Sequence, residues 1–449
     1  MATSELFRST EQARLAVDAL AATAVELRDL GVGDELTGRC QMLLTDLLGV
    51  TVAGSRTPEM TALRATWGPT AGLDTSDAVL LSATAACMLE LDEGNKYATG
   101  HPAAHVVFAA LASCGPATTG DELIAAIIAG YEVAARFGYA TRRDPRWHTH
   151  GHWGATGAAC AAALLRGGDR AQVAAAIDAV GGLLRVTPWA TVLDGDFTRN
   201  LWIAGANDAG IQAARLAMAG LVDNRGSIQH SLGDIVGELL PAHLIEDLGD
   251  RWLIGEGYIK QHSCCSYTHA AVDLVLALRE HWGDPDEIAA IDVRIHSLAE
   301  PLFERHPRNR LSAMFSLPFV ISTAVVSGRV TPDVMDPAAR DFERAEDFSD
   351  RVTVAVSEEL DAHLPHLRIA EVELTGRDGT VVSAAQSNPI GDTAHLPFDA
   401  DAVAEKISRL IGTADAQRIR HVVDRLPGGA SAMSTLAALR PIADCLPLE

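Results

Sequence analysis

The spacing of apolar residues predicts helices over most of the chain up to residue 283. From Thr10 to about Gly283, Ala-rich segments such as EQARLAVDALAATAVELRDL and DELIAAIIAGYEVAARFGY place apolar residues at positions i, i+3, i+4 and i+7. Two segments, Leu123 to Ala135 and Gly157 to Leu165, are apolar on nearly all sides. Helices of that kind are buried, so we expect them inside a helix bundle or in a subunit interface.

After Gly283 the pattern changes to two-residue alternation. EIAAIDVRIH, DRVTVAVSEEL, LRIAEVELT and TVVSAAQS predict strands, and the turn at 376–379 joins the last two. A helix-like stretch at 309–328 and an acidic helix candidate at 337–348 lie between these strands, and helices return from Asp399 to Leu439. We therefore predict a mainly α protein with an α+β insertion. The all-helical domain is assigned to residues 1–265 and 400–449, and the α+β domain to residues 266–399.

Charge and composition exclude several classes of partner. The chain carries 36 Lys+Arg against 59 Asp+Glu, a net charge of −23, so neither nucleic acid nor an anionic membrane surface is an expected partner. Its seven cysteines form an odd set without CxxC spacing, which speaks against a disulfide framework or a thiolate zinc site. The longest strongly apolar stretch, Ala78 to Leu89, is shorter than the ~20 residues that cross a bilayer, and the N-terminus lacks a signal-peptide pattern. We expect a soluble cytoplasmic protein.

Carboxylates and histidines meet in the segment ELDEGNKYATGHPAAH at 90–105. An apolar helix is predicted to end at Glu90 and Asp92, and a glycine-bearing loop then reaches His101. Carboxylate and imidazole groups exchange protons near neutral pH, and burial at a helix end can tune the pKa of either group. The alternative interpretation is a solvated helix end followed by a turn.

A second segment, RWHTHGHWGATG at 146–157, alternates three histidines, His148, His150 and His152. Their rings would share one face of an extended chain, as zinc ligands do, but no acidic or cysteine ligand is spaced nearby to complete a metal site. The glycine-rich helix start instead favours an anion, and the absence of a GK[ST] end argues against a nucleotide. Close helix packing at the glycines, with a buried histidine, is the alternative.

Two basic residues mark further segments. Arg199, in TRNLWIAGAN, offers planar bidentate donors suited to a carboxylate, although a surface arginine at a helix start fits the sequence equally well. Lys260, in YIKQHSCCSYTH, is one of only three lysines beside 33 arginines and stands among uncharged residues, which favours a pocket. Lys406 lies on an amphipathic helix among charged neighbours and is assigned no role. Together the segments predict a site that binds a carboxylate and transfers a proton.

These segments, in this order, resemble the MmgE/PrpD family of 2-methylcitrate dehydratase, cis-aconitate decarboxylase and iminodisuccinate epimerase. GYEVAAR at 130–136 and MFSLPF at 314–319, followed by Gly328, extend the resemblance over nearly the whole chain. The resemblance implies an enzyme without metal or cofactor, usually a homodimer. It also implies a large all-helical domain made from both chain ends and a smaller α+β lid.

The resemblance also implies roles for individual residues. The predicted catalytic residues are Asp92, His101, His148 and Lys260. The predicted substrate-binding residues are Glu90, Asn95, Arg199, His150, His262 and Phe319. Phe319 stands where the decarboxylases have a substrate-facing tyrosine, and a threonine of their loop is replaced near Gly94 or Asn95, so cis-aconitate itself is disfavoured as the substrate.

The family's reactions share a carbanion or enediolate-like centre beside a carboxylate, whose charge must be stabilised as it develops. We predict that Lys260 and Arg199 hold the carboxylates of a small-molecule substrate. His101, oriented by Asp92 or Glu90, then moves the α-proton, and His148 serves the leaving group or transfers a second proton. Dehydration of a hydroxy di- or tricarboxylate is the first expectation. The alternatives are epimerisation, decarboxylation, a larger secondary-metabolism substrate, or a non-catalytic carboxylate-binding protein.

Overall fold

The computed structural model describes residues 3–68 and 73–448, and helices dominate the part that precedes residue 280. These helices are α1 (Thr3–Leu30), α2 (Asp34–Ser55), α3 (Pro58–Ala65), α4 (Thr75–Ala86), α5 (Pro102–Leu111), α6 (Gly120–Ala140), α7 (Gly154–Leu165), α8 (Arg170–Ala179), α9 (Trp189–Leu193), α10 (Leu201–Met218), α11 (Pro241–Leu244) and α12 (His269–Leu278). The helical interpretation of this part is confirmed.

The helices that the sequence shows as apolar on all sides lie at the centre of the bundle. α6 and α7 cross in direct contact, because Gly130 and Gly157 face each other: a Cβ at Gly157 would lie 2.1 Å from the Gly130 carbonyl oxygen. By length and composition α6 is the one helix of the described chain that could span a membrane. However, 94% of its most apolar window is buried inside the fold. Both α6 and α7 are thus buried within one chain.

Four very short strands, which the sequence analysis did not find, interrupt the helical part. They are β1 (Gly94–Asn95), β2 (Thr141–Arg143), β3 (Gly237–Leu239) and β4 (Gly257–Tyr258). β1 pairs antiparallel with β4, and β2 with β3. Strands of two or three residues are too short to show an alternating pattern, so only the folded chain reveals them.

The α+β part is built on a four-stranded sheet. Its strands are β5 (Ile288–Ile295), β6 (Val352–Val356), β7 (Ala370–Gly376) and β8 (Val381–Gln386), in the order β6-β5-β7-β8. β5 and β6 are parallel, and the other two pairs are antiparallel. All four predicted strands are present, and β7 and β8 join through the predicted turn.

The α+β part also contains the helices α13 (Arg310–Met314), α14 (Leu317–Ser327), α15 (Phe342–Phe348) and α16 (Glu358–Asp361), of which α14 packs against β6. The stretch at 309–328, predicted as one helix, is therefore two, separated at Phe315 and Ser316. The acidic helix is shorter than predicted, because the Asp336 carboxylate accepts the amide of Ala338 and forms a turn before it.

Both ends of the described chain contribute to one apolar core. Helices α17 (Ala400–Ile411), α18 (Thr413–Asp424) and α19 (Ala432–Leu436) close the chain, and α17 packs on α2. A second core is formed within residues 264–374, with Trp189, Val192 and Trp202 added from the helical part. The fold is thus mainly α with a smaller α+β part, while the exact boundaries 1–265, 266–399 and 400–449 stay a prediction.

Candidate active site

The acidic loop is fixed between the end of α4 and the start of α5. Glu90 adopts a φ of 50°, in the left-handed region that is uncommon for residues with a side chain. β1 then pairs with β4, and a Cβ at Gly94 would lie 2.2 Å from the Tyr258 hydroxyl oxygen, so only glycine fits there. His101 follows as the N-cap residue of α5, with Pro102 in its first turn.

A buried carboxylate between two buried cations lies at the centre of the site. The Lys260 ammonium donates to Glu90 Oε2 at 2.8 Å and to the Glu90 carbonyl oxygen at 3.1 Å. The Arg199 guanidinium donates to Glu90 Oε1 and, at 3.1 Å, to the Cys87 carbonyl oxygen. All three charged side chains are at most 2% exposed. Two cations and one anion leave one net positive charge, which suits an anionic ligand.

Two further carboxyl groups of the loop are fully buried. Burial raises the pKa of Asp92 and that of Glu93 to about 7. Glu93 accepts from the Tyr131 hydroxyl at 2.5 Å and from the Ala103 amide at 3.1 Å, so it has a structural role. Neither oxygen of Asp92 has a hydrogen-bond partner within the described chain. Asp92 is therefore a buried acid that can hold or release a proton near neutral pH.

His101 lies beside Asp92 with one ring nitrogen bound and the other available. Its Nδ1 is 2.7 Å from the Glu93 carbonyl oxygen and 3.4 Å from Asp92 Oδ2. A carbonyl oxygen only accepts, so this contact assigns the proton to Nδ1 and the lone pair to Nε2. Burial lowers the pKa of His101 well below its usual range, which keeps the ring neutral. Nε2 of His101 can therefore act as a base.

His148 has the opposite arrangement. Its Nδ1 accepts the backbone amide of His150 at 3.2 Å, which assigns the proton of the neutral ring to Nε2. Burial also lowers the pKa of His148 well below its usual range. The ring packs against Trp189, with centroids 4.5 Å apart, and against Phe315 at 6.1 Å. His148 thus presents a hydrogen-bond donor where His101 presents an acceptor.

His150 connects these two histidines. Its ring centroid lies 4.9 Å from that of His101 and 4.3 Å from that of His148. The residue is fully buried, and neither ring nitrogen has a hydrogen-bond partner in the described part of the chain. Because unpaired buried polar atoms are costly, His150 is suited to contact a polar ligand.

The cluster contains one set of groups with the spacing of a metal site. One ligand atom each from Glu90, Asp92 and His101 lies within 4.8 Å of the others. Both oxygens of Glu90 are already bound, one by Arg199 and one by Lys260. A divalent ion would have to compete with two cations for this carboxylate, so the donor set does not fit a metal well.

Three of the predicted substrate-binding residues make other contacts. The side-chain oxygen of Asn95 accepts hydrogen bonds from the backbone amides of Tyr97 and Ala98, and its side-chain nitrogen donates to the Leu253 carbonyl oxygen. These bonds organise the loop. His262 Nε2 lies 2.8 Å from Asp273 Oδ1. Phe319 packs in the second core against Phe342, with ring centroids 4.6 Å apart. Their predicted roles stay predictions.

A different aromatic residue reaches the cluster. The guanidinium carbon of Arg199 lies 5.1 Å from the centroid of Phe315, which also contacts His148. Phe315 stands four positions before Phe319 in the same MFSLPF segment, and the break between α13 and α14 gives the two rings different surroundings. That break has no clear signal in the apolar pattern.

Lys406, to which the sequence analysis assigned no role, connects α2 to the acidic loop. Its ammonium donates to Asp46 Oδ1 at 2.6 Å and to the Leu91 carbonyl oxygen at 3.0 Å. The side chain is only 9% exposed, so Lys406 has a structural role on the buried side of α17. The rarity of lysine was the available signal, since Lys96, Lys260 and Lys406 are all buried and each pairs with a carboxylate.

Comparisons with known proteins agree with this architecture. A model of the MmgE/PrpD N-terminal domain matches residues 18–230, and a model of the MmgE/PrpD C-terminal domain matches residues 262–427. A cis-aconitate decarboxylase-like protein of Aspergillus oryzae is 24% identical over 402 residues, which cover 81% of this chain and 82% of the relative. A cis-aconitate decarboxylase of Aspergillus terreus is 23% identical over 409 residues, covering 84% of this chain and 82% of the relative.

Proposed function

Since this chain belongs to the MmgE/PrpD family, we propose that it is a lyase that removes a proton beside a carboxylate of a small-molecule substrate. Its first expected reaction is dehydration of a hydroxy di- or tricarboxylate, similar to that of 2-methylcitrate dehydratase. One observation carries the proposal. Two neutral histidines, one an acceptor and one a donor, lie in the same buried cluster as a net-positive Arg199–Glu90–Lys260 group.

The basic pair is the proposed site for a substrate carboxylate. Glu90 and the Cys87 carbonyl oxygen use only part of the donor capacity of Arg199, whose Nε–H has no partner in the described chain. Lys260 retains one of its three donors. A substrate carboxylate can therefore share these cations with Glu90, and charge-assisted hydrogen bonds in a buried site are the strong ones.

His101 is the proposed base, and Asp92 the proposed acid. The C–H bond beside the carboxylate breaks, and Nε2 of His101 takes the proton. The electron pair forms the C=C bond, and the C–O bond to the hydroxyl breaks. Protonated Asp92, with its pKa raised to about 7, gives its proton to the departing hydroxide, which leaves as water.

The same pair can restore itself after each turnover. The step leaves a His101 imidazolium beside an Asp92 carboxylate, with His101 Nδ1 3.4 Å from Asp92 Oδ2. The Nδ1 proton stays on its hydrogen bond to the Glu93 carbonyl oxygen, and transfer of the Nε2 proton to Asp92 through the released water returns both groups to their starting forms. The Nε2–H of His148 donates to charge developing on the substrate. Because a neutral imidazole is a poor acid, we assign His148 this role rather than full proton transfer to the leaving group.

Decarboxylation is the second candidate, and the names of the two Aspergillus relatives favour it. Loss of carbon dioxide produces the same kind of carbanion beside a carboxylate, which the protonated form of Asp92 would then quench. Arg199, Lys260 and His148 would stabilise the developing charge in both reactions. The two reactions therefore differ only in which bond of the substrate breaks.

Proton NMR in deuterium oxide distinguishes these reactions directly. Purified, chelator-treated protein is mixed with citrate, 2-methylcitrate, cis-aconitate, malate and aspartate-derived acids. Loss of water indicates dehydration, release of carbon dioxide indicates decarboxylation, and α-deuteration without net conversion indicates epimerisation. Binding of an acid without any of these changes would support a non-catalytic carboxylate-binding protein. Turnover of one acid after chelation would also support a reaction without a metal.

His101→Asn tests the assignment of the base. Loss of a positioned proton-transfer group should lower kcat about 10²- to 10⁴-fold, while titration calorimetry still detects substrate binding at the Arg199–Lys260 pair. His281→Asn is the matched control, because His281 is exposed and lies outside the cluster. Full activity of His101→Asn would contradict the assignment.

We also propose a cytoplasmic homodimer. The resemblance supports the dimer, and sedimentation equilibrium tests it, since a monomer at micromolar concentration would contradict it. All seven cysteines are free thiols, six of them buried, which is typical of a reducing compartment.

A further inference from the structure

A cavity of about 340 Å³ lies on the backbone side of His148. The His148 carbonyl oxygen accepts from the Thr187 hydroxyl at 3.0 Å and is 2.6 Å from His152 Nε2, and both Thr187 and His152 line the cavity. The His148 ring contacts His150 and Trp189 instead, neither of which lines it. The cavity is therefore separate from the candidate active site, although residues of the segment 147–152 contribute to both.

Two residues of the cavity lining each carry a buried polar atom without a partner in the described chain. His152 is 1% exposed, and its Nε2–H is committed to the His148 carbonyl oxygen, so Nδ1 carries a lone pair with no donor in the described chain. The indole N–H of Trp147 is likewise buried and unpartnered there. Each such atom costs free energy unless a ligand satisfies it. One requires a donor and the other an acceptor.

The same lining includes a cation without a counter-charge. Arg185 is exposed and forms no ion pair with any carboxylate of the described chain. Its side chain lies across α10, because a Cβ at Gly205 would be only 1.6 Å from Arg185 Nε. The backbone amide of Arg185 donates to the Gly151 carbonyl oxygen at 3.3 Å. The absence of a side chain at Gly205 thus leaves room for the Arg185 guanidinium beside α10.

The remaining walls are apolar and open to solvent at the mouth. Leu184, Val186 and Ile235 line the cavity, and Val186 and Ile235 are 70% and 67% exposed. The Ser231 hydroxyl donates to the Gly181 carbonyl oxygen at 2.6 Å and joins the two segments that form the opposite walls. An apolar body therefore fits between them, with its charged end at Arg185.

We propose that this cavity is a second binding site for an apolar hydroxycarboxylic acid, with its carboxylate on Arg185 and its polar groups on the Trp147 N–H and His152 Nδ1. The apolar part of the acid covers the side chains at the mouth. This site takes an amphipathic acid, whereas the Arg199–Lys260 pair takes a small carboxylate, so the proposal does not depend on the proposed lyase reaction.

Isothermal titration calorimetry with 3-phenyllactate tests this site, with 3-phenyl-1,2-propanediol as the probe that lacks the carboxylate. We expect 3-phenyllactate to bind and the diol to bind at least about tenfold more weakly, because the charge-assisted pair with Arg185 is lost. Arg185→Ala should weaken binding of 3-phenyllactate by a similar factor, and Trp147→Phe by a smaller one. Arg170→Ala, at an exposed arginine on α8, is the matched control and should bind as the wild type does.

Hydrogen exchange locates the ligand. Protection by 3-phenyllactate is expected at 181–187 and 229–236, the segments that carry most of the lining. Protection at 90–101 instead would place the probe in the candidate active site and overturn the proposal. Absence of binding at millimolar concentration, or equal binding by Arg185→Ala, would also overturn it. A dimer that Val186→Asp dissociates would show that a second copy of the chain covers the cavity, and this too would overturn it.

Discussion

Replacing Glu90 by glutamine should destabilise the protein strongly, whatever its substrate is. The change keeps the size of the side chain and removes its charge, which leaves the Arg199 guanidinium and the Lys260 ammonium buried without a counter-charge. Both cations are 0% exposed, so water cannot screen them. Removing one partner of a buried ion pair costs about 3–5 kcal/mol. We expect Glu90→Gln to lower the free energy of unfolding by about that amount.

Urea unfolding followed by far-UV circular dichroism measures this loss. The midpoint should fall while the slope with denaturant stays the same. Glu405→Gln is the matched control, since Glu405 pairs with Arg409 on the surface, where both side chains are more than 60% exposed, and this change should have little effect.

A double variant tests the cause of the loss. Glu90→Gln combined with Lys260→Met should be more stable than Glu90→Gln alone, because one of the two uncompensated cations is gone. A loss below about 1 kcal/mol for Glu90→Gln, no more than an average substitution gives, would refute the reasoning. So would a double variant less stable than the single one.

Three further predictions concern the surroundings of this group. Burial raises the pKa of Asp92 to about 7. Between about pH 4 and pH 7 the folded protein therefore keeps this proton, whereas the unfolded chain releases it. The free energy of unfolding consequently falls as the pH rises through that window. The urea-unfolding midpoint of Asp92→Asn, measured relative to that of the wild type, should therefore rise from about pH 4 to pH 7. A difference between the two midpoints that stays constant over this range would count against the raised pKa. Lys406→Met should lower the free energy of unfolding by about 3 kcal/mol by stranding Asp46, and Lys406→Met with Asp46→Asn should recover at least half of it. Gly94→Ala should lose activity, or fold less stably, because its Cβ meets the Tyr258 hydroxyl 2.2 Å away; crystals of an active variant with β1 and β4 unshifted would show that the contact is tolerated.

Much of the fold could be predicted because its signals are local. The spacing of apolar residues depends only on the repeat of a helix or a strand, so it identified the helices around α6 and α7 and all four strands of the sheet. The same reasoning failed where a break or a pairing has no periodic signal. It joined α13 to α14 and did not find β1 or β4, because two-residue strands exist only through their partners.

The sequence indicated which residue types form the candidate site, but not which of them contact each other. Uncommon residue types in weakly charged surroundings identified Lys260 and the histidine segment, and the structure brings both into one cluster. The aromatic contact of Arg199 comes from Phe315, four positions before Phe319, whose role in substrate binding stays a prediction. Which of two rings in one segment faces a site depends on the end of a helix, and sequence periodicity does not resolve that end.

By itself, the sequence determined a helical bundle with an α+β part and a set of acid, base and cationic groups in four segments. The tertiary structure decided which of these groups meet. Glu90 pairs with residues 109 and 170 positions away, and Lys406 with a residue 360 positions away. The pKa of Asp92 rises only because the packed chain removes water from it. Charge pairing and desolvation depend on distances in space, whereas periodicity depends on distance along the chain.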